Sequence, residues 1–175
     1  MKLLISLTLA CLMVRGSGLR QYAGGQLRLT VRVLGRAQVP ARTAAEAERV
    51  AGLIFELSPS VVLVTDAIDA AGVGDGRFEL GGQEVLVHDG EARLTATGSL
   101  AGSTLTMDEA LRNAVHVSGV SIERASAATS LMPARALGLE QELGSIAPGR
   151  RADLLVLDDD LNVTGVMANG RWCAN

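Results

Sequence analysis

The chain has 175 residues, 48% hydrophobic but only 2% aromatic, with a formal net charge of −3. That is apolar material enough for an ordinary core, while Tyr22, Phe55, Phe78 and Trp172 are too few to stack nucleic-acid bases. Cys11 and Cys173 make neither a disulfide framework nor a Cys-x-x-Cys metal clip.

Charge is unevenly spread: residues 1–50 hold Lys2 and seven arginines against Glu46 and Glu48, and the remainder is acidic. The arginines stand singly between apolar residues, with no zinc-finger, basic-zipper or RNA-stacking motif, so nucleic acid is not an expected partner. Met1-Lys2 followed by the apolar run from Leu3 to Val14 has the charged start of a secretory signal and is too short to span a bilayer. Arg15 follows at once without a small-residue cleavage region, which favours a buried strand or helix here and no membrane contact.

From Gln26 to Leu34, Leu27, Leu29, Val31 and Val33 alternate with polar residues, the period of a strand with one wet face. Pro40 ends that region. Thr43-Ala44-Ala45-Glu46 is a capping box that opens a helix through about Leu57, with Val50, Leu53, Ile54 and Leu57 as its apolar stripe. Ser58-Pro59-Ser60 closes it, and Val61-Val62-Leu63-Val64-Thr65-Asp66 then reads as a strand buried on both faces, as in a parallel sheet. Asp66 stands at the strand's C-terminal end, where α/β barrels gather their reactive side chains; an Asp that merely starts a turn is the competing reading.

Gly72, Gly74 and Gly76 with Asp75 predict a mobile loop, weak as a phosphate cradle because no amphipathic helix follows directly. Segments 78–80, 84–88 and 92–95, separated by Gly81-Gly82 and Asp89-Gly90, predict a small β-meander, either a lid over a barrel mouth or a purely structural hairpin. Thr106-Met107-Asp108-Glu109 is a second capping box, with Met107, Ala110, Leu111, Ala114, Val115 and Ser118 on one face and Gly119 as the stop. A helix over 122–131 and a short one from Pro133 to Gly138 follow. The tail predicts strands over 153–157 and 163–168 joined by Asp158-Asp159-Asp160, then an Asn169-Gly170 hairpin.

Val64-Thr65-Asp66-Ala67, then Leu100-Ala101-Gly102-Ser103-Thr104-Leu105-Thr106-Met107, then Pro148-Gly149-Arg150-Arg151-Ala152-Asp153-Leu154, taken in this order, resemble the C-terminal portion of the N-acetylglucosamine-6-phosphate deacetylases of the amidohydrolase superfamily. The resemblance covers residues 61–172. Its last motif is shared by many amidohydrolases, whereas the first two together are much more specific. It implies an α/β fold class: a C-terminal fragment of a TIM-barrel amidohydrolase, its last strand and helices, with strands of the small β-sandwich domain. A whole barrel takes ~250 residues. The expected division is an atypical region 1–58, the end of the barrel with its hairpin insertion over 59–141, and sandwich strands over 142–175, with residues 27–34 or 3–14 left to supply a further sandwich strand.

In the family so resembled, a divalent metal, zinc or iron, activates the attacking water, and an aspartate at the last strand passes a proton to the departing amine. Asp66 matches that aspartate, and Leu100, Ala101 and Gly102 match the loop that holds the sugar. No metal ligand is assigned: His88 beside a hairpin turn and His116 opposite its helix's apolar stripe both read as exposed. The resemblance implies hydrolysis of N-acetylglucosamine 6-phosphate to glucosamine 6-phosphate and acetate, in the cytoplasm, by a chain expected to be inactive alone. The alternatives are a non-catalytic module that associates through an open sheet edge with itself or a complementing fragment, and a secreted or lipid-anchored protein built on amidohydrolase remnants.

Overall fold

The computed structural model describes residues 3–6, 28–29, 39–40 and 44–174. It is α/β with small sheets and divides into two compact units, one of Met1–Cys11, Ala51–Leu63 and Leu111–Asn175, the other of Leu12–Val50 and Val64–Ala110. None of the described helices is long and apolar enough to cross a membrane.

The first unit is built on an antiparallel sheet of β1 (Leu3–Ser6), β7 (Leu154–Leu157), β8 (Val163–Ala168) and β9 (Arg171–Trp172), in that order. Of the two stretches expected to complete this sheet, four residues of the signal-like run do so, Leu3 facing Leu157 and Ser6 facing Leu154. The rest of residues 1–14 lies outside the described residues. Asn169 and Gly170 both take positive φ, 49° and 76°, and join β8 to β9 as the mirror-image two-residue turn that matches strand twist. Leu157 is fully buried.

Asp158 organises the acidic turn after β7. Its carboxylate accepts from the backbone amides of Asp160 at 3.0 Å and Asn162 at 2.8 Å and from the Asn162 side chain at 3.1 Å. The Asn162 side-chain bond, then its backbone bond, hold Asp158 below its ordinary pKa of 3.8. A depressed folded pKa contributes stability that is present above the unfolded value and lost as pH falls through the folded one. The difference in melting temperature between wild type and Asp158→Ala is therefore expected to be full above about pH 4 and to shrink on acidification below it, in thermal melts across that range.

Helix α1 (Ala44–Leu57) spans the stretch that its capping pattern predicts. Its stripe is corrected: Leu53 and Leu57 are 51% and 77% exposed and Phe55 is buried, while the side chain of Val50 lies outside the described residues. The inward face runs through Gly52 and Phe55, three apart. A Cβ on Gly52 would stand 2.8 Å from the Ser118 carbonyl, and the Arg124 guanidinium lies 6.0 Å from the Phe55 ring centroid while donating to the carbonyls of Phe55 and Ser58.

The next predicted helix is two pieces, α2 (Met107–Arg112) and a π-helical turn over Asn113–Val117. The Ser118 amide reaches back five residues to the Asn113 carbonyl at 3.0 Å, and Gly119 ends the element at φ 68°. Ala110, Leu111 and Ala114 are buried and His116 is exposed, as the stripe predicts. Helix α3 (Ile122–Thr129) is capped by Ser121, and its Ala128 carbonyl accepts the Leu63 amide at 2.9 Å. Helix α4 (Leu131–Ala136) begins two residues before Pro133, which sits in a first turn that needs no donor there. Gly144 packs on it so closely that a Cβ would lie 2.7 Å from that of Ala134.

The second unit holds two small sheets. Strands β2 (Arg28–Leu29) and β3 (Val39–Pro40) pair antiparallel, and the remainder of the alternating stretch 26–34 lies outside the described residues. Strands β4 (Gly76–Leu80), β5 (Gln83–His88) and β6 (Glu91–Leu94) form the antiparallel meander expected from the glycine turns. Its inner face contributes Val85, Val87 and Ala92 to a core with Ala70 and Ala101, against which Ile68, Phe78 and Leu94 pack.

Candidate active site

Val61, Leu63 and Val64 are buried, as a run without polar residues requires. The expected continuous strand is nevertheless corrected: the run has only isolated bridges, and the one beyond Asp66 joins Ala67 to Ser103 in parallel. A parallel strand needs a ladder of slanted bonds to an extended neighbour, and residues 100–105 offer this only at one point before turning away.

That single point decides the geometry. The Ser103 amide donates to the Asp66 carbonyl at 2.9 Å, and the Ile68 amide donates to the Ser103 carbonyl at 2.9 Å. Asp66 itself is half-buried and left-handed at φ 53°, a conformation that aspartate adopts more readily than most residues other than glycine. Gly102 is at φ 72°, and a Cβ there would stand 3.0 Å from the Asp66 carbonyl oxygen and 2.5 Å from the Ile68 Cγ2. Asp66 and the loop of Leu100, Ala101 and Gly102, 34 residues away in sequence, therefore touch.

The three loop residues do different work. Ala101 turns its methyl into the meander core and gives its amide to the Ala92 carbonyl at 3.0 Å. Leu100 is half-buried and bridges Arg93. Gly102 makes the close approach. Ser103, not singled out by the sequence, is 1% exposed; its hydroxyl accepts the Leu105 amide at 2.9 Å and fixes the turn. A small polar residue inside an otherwise apolar Leu-Ala-Gly-Ser run was the signal for it.

Both histidines are exposed. Among the described residues one group could hold a cation: Asp75, His88 and Asp89, whose ligand atoms lie within 4.8 Å of one another. The glycine-rich loop that carries Asp75 is tied down there, since its carboxylate accepts the amides of Asp89 at 2.7 Å and Gly90 at 3.0 Å. Those bonds, first from Gly90 and then from Asp89, hold its pKa below the ordinary carboxylate value.

Residues 23–173 match the sequence profile of the Amidohydrolase family. The chain belongs to the amidohydrolase family. The amidohydrolase is 49% identical over 111 residues to the N-acetylgalactosamine-6-phosphate deacetylase of Escherichia coli O157:H7, 63% of this chain and 29% of that one. It is 46% identical over 117 residues to the human N-acetylglucosamine-6-phosphate deacetylase, 66% of this chain and 29% of the other. Among solved structures, the Mycobacterium smegmatis N-acetyl-D-glucosamine-6-phosphate deacetylase, an aspartate-to-alanine mutant in complex with N-acetyl-D-glucosamine-6-phosphate, is similar with TM-score 0.65 and 39% identity over 75% of this chain and 35% of that one. The amidohydrolase thus spans about a third of the length of these proteins. A further relative, from Escherichia coli K12, is itself short: its 111 matched residues are 66% of it.

Amidohydrolases generally use a divalent metal. The Asp75, His88 and Asp89 group does not fit a hydrolytic centre: all three are exposed, and both Asp75 oxygens already serve backbone amides. A hydrolytic ion instead needs ligands in a dry, shaped cavity with a position left for water.

Proposed function

We propose that this amidohydrolase carries the proton-transferring and sugar-holding part of a deacetylase acting on N-acetylglucosamine 6-phosphate, releasing glucosamine 6-phosphate and acetate. The observation that supports it is the contact of the Asp66 main chain with Gly102 and Ser103, which brings the turn that carries this carboxylate against the loop of small residues. In this reading residues 59–141 are the end of a TIM barrel and 142–175 are sandwich strands.

The division of labour follows from the chemistry. An amide anion is a very poor leaving group, so the departing nitrogen has to receive a proton as the C–N bond breaks. In this reading Asp66 takes a proton from the attacking water as the water's oxygen bonds to the acetamide carbon, and passes that proton to the nitrogen as the C–N bond breaks. The Ala101 methyl is committed to the core, so in this reading that residue offers the sugar only its main chain. A galactosamine substrate is the second reading, favoured by the 49% identity to the Escherichia coli O157:H7 deacetylase. Among the described residues the family's zinc or iron finds no suitable ligand set; in this reading the chain is inactive alone and acts with a complementing fragment or a second copy, met in the cytoplasm.

The test is acetate release from both sugar phosphates, with metal analysis of the same purified chain. Neither turnover nor stoichiometric metal is expected. Turnover with stoichiometric zinc or iron would mean that this chain supplies its own ligands, and the ratio of the two rates would name the sugar.

A further inference from the structure

We infer that Asp75 and Thr104 are positioning residues that hold Asp66 in its left-handed turn, by closing a ring of hydrogen bonds around residues 67–74. The ring can be followed atom by atom. The Asp75 carboxylate takes the amides of Asp89 and Gly90, the turn between β5 and β6, at 2.7 and 3.0 Å. The Gly90 carbonyl in turn accepts the Thr104 hydroxyl at 2.5 Å. Thr104 follows Ser103, whose amide and carbonyl bind the Asp66 carbonyl and the Ile68 amide at 2.9 Å each. The covalent chain from Asp66 to Asp75 completes the circuit.

Each joint is itself fixed. Asp89 and Gly90 are left-handed at φ 50° and 73°, so the turn presents both amides together, and Ser103 anchors its own turn through Leu105. Bonds to an ionised carboxylate are the stronger kind. A left-handed aspartate persists where its surroundings over-determine it, and the ring supplies that constraint from both sides of Asp66. A hairpin staple alone would need only the Asp75 bonds; the Thr104 bond extends them to the loop that touches Asp66.

The functional weight of the inference rests on the proposed role of Asp66, but its test does not involve turnover. Amide exchange of the full chain is followed at Asp89, Gly90, Ser103 and Ile68, with Leu63 and Ala125 as references for global opening. Thr104→Val should speed exchange at Ser103 and Ile68 by about tenfold, the loss of one ordinary hydrogen bond, and leave Asp89 and Gly90 unchanged. Thr104→Ser, which keeps the hydroxyl, should restore protection. Asp75→Asn should loosen all four. Unchanged exchange at Ser103 and Ile68 in both Thr104→Val and Asp75→Asn would overturn the inference and leave the deacetylase reading untouched.

Discussion

Replacing Gly102 by alanine is expected to destabilise the chain by about 2–5 kcal/mol and to displace Asp66. Two costs add. The position is left-handed at φ 72°, which a Cβ penalises by roughly 1–2 kcal/mol. The new methyl would also stand 2.5 Å from the Ile68 Cγ2 and 3.0 Å from the Asp66 carbonyl oxygen, closer than van der Waals contact allows. Ile68 is part-buried against the meander core and the Asp66 oxygen is backbone, so overpacking of about 1–3 kcal/mol follows. Relief has to come by opening the Ser103 to Asp66 bond. Urea denaturation reads the stability, and amide exchange at Ser103 the local opening. By contrast, Gly98, also left-handed at φ 70°, has open space around it, so Gly98→Ala should cost only the conformational part, roughly 1–2 kcal/mol.

The sequence makes the local elements legible because their signals are local. The capping-box patterns foretell the starts of α1 and α2, and the Gly81-Gly82, Asp89-Gly90 and Asn169-Gly170 pairs foretell the hairpin turns. What it hides depends on neighbours. Periodicity identifies an apolar helix stripe but not which apolar residues find a partner, and so Leu53 and Leu57 are exposed while Phe55 meets Arg124. The run before Asp66 has the composition of a central strand, yet a ladder needs an extended partner along its length, and Ser103 supplies one bridge.

At the site, Asp66 and residues 100–102 come from resemblance, and no local pattern joins them across 34 residues. Ser103, Thr104 and Asp75 escape for another reason. Their weight lies in bonds to backbone atoms of distant turns, which leave no periodic trace. The pairing of β1 with β7 is narrowed by the sequence only to a choice between residues 3–14 and 27–34, because an apolar start fits an export signal as well as a strand.

Asp66→Asn is the second change with a large expected effect. It keeps the size of the side chain and an acceptor but removes the group proposed to carry a proton to the leaving amine, which general acid–base catalysis values at about 10²–10⁴-fold in rate. The effect has to be read where the rest of the catalytic machinery is present. In a chimera, the stretch of the human deacetylase that matches this chain over 117 residues is exchanged for this chain's own, and the human protein supplies the remainder. The most direct measurement is acetate release from N-acetylglucosamine 6-phosphate by this chimera, with and without Asp66→Asn, at equal metal content. Release that falls by about 10²–10⁴-fold on Asp66→Asn is the predicted result. A folded, metal-loaded chimera that is silent with Asp66 intact, or one that turns over undiminished without its carboxylate, would contradict the assignment.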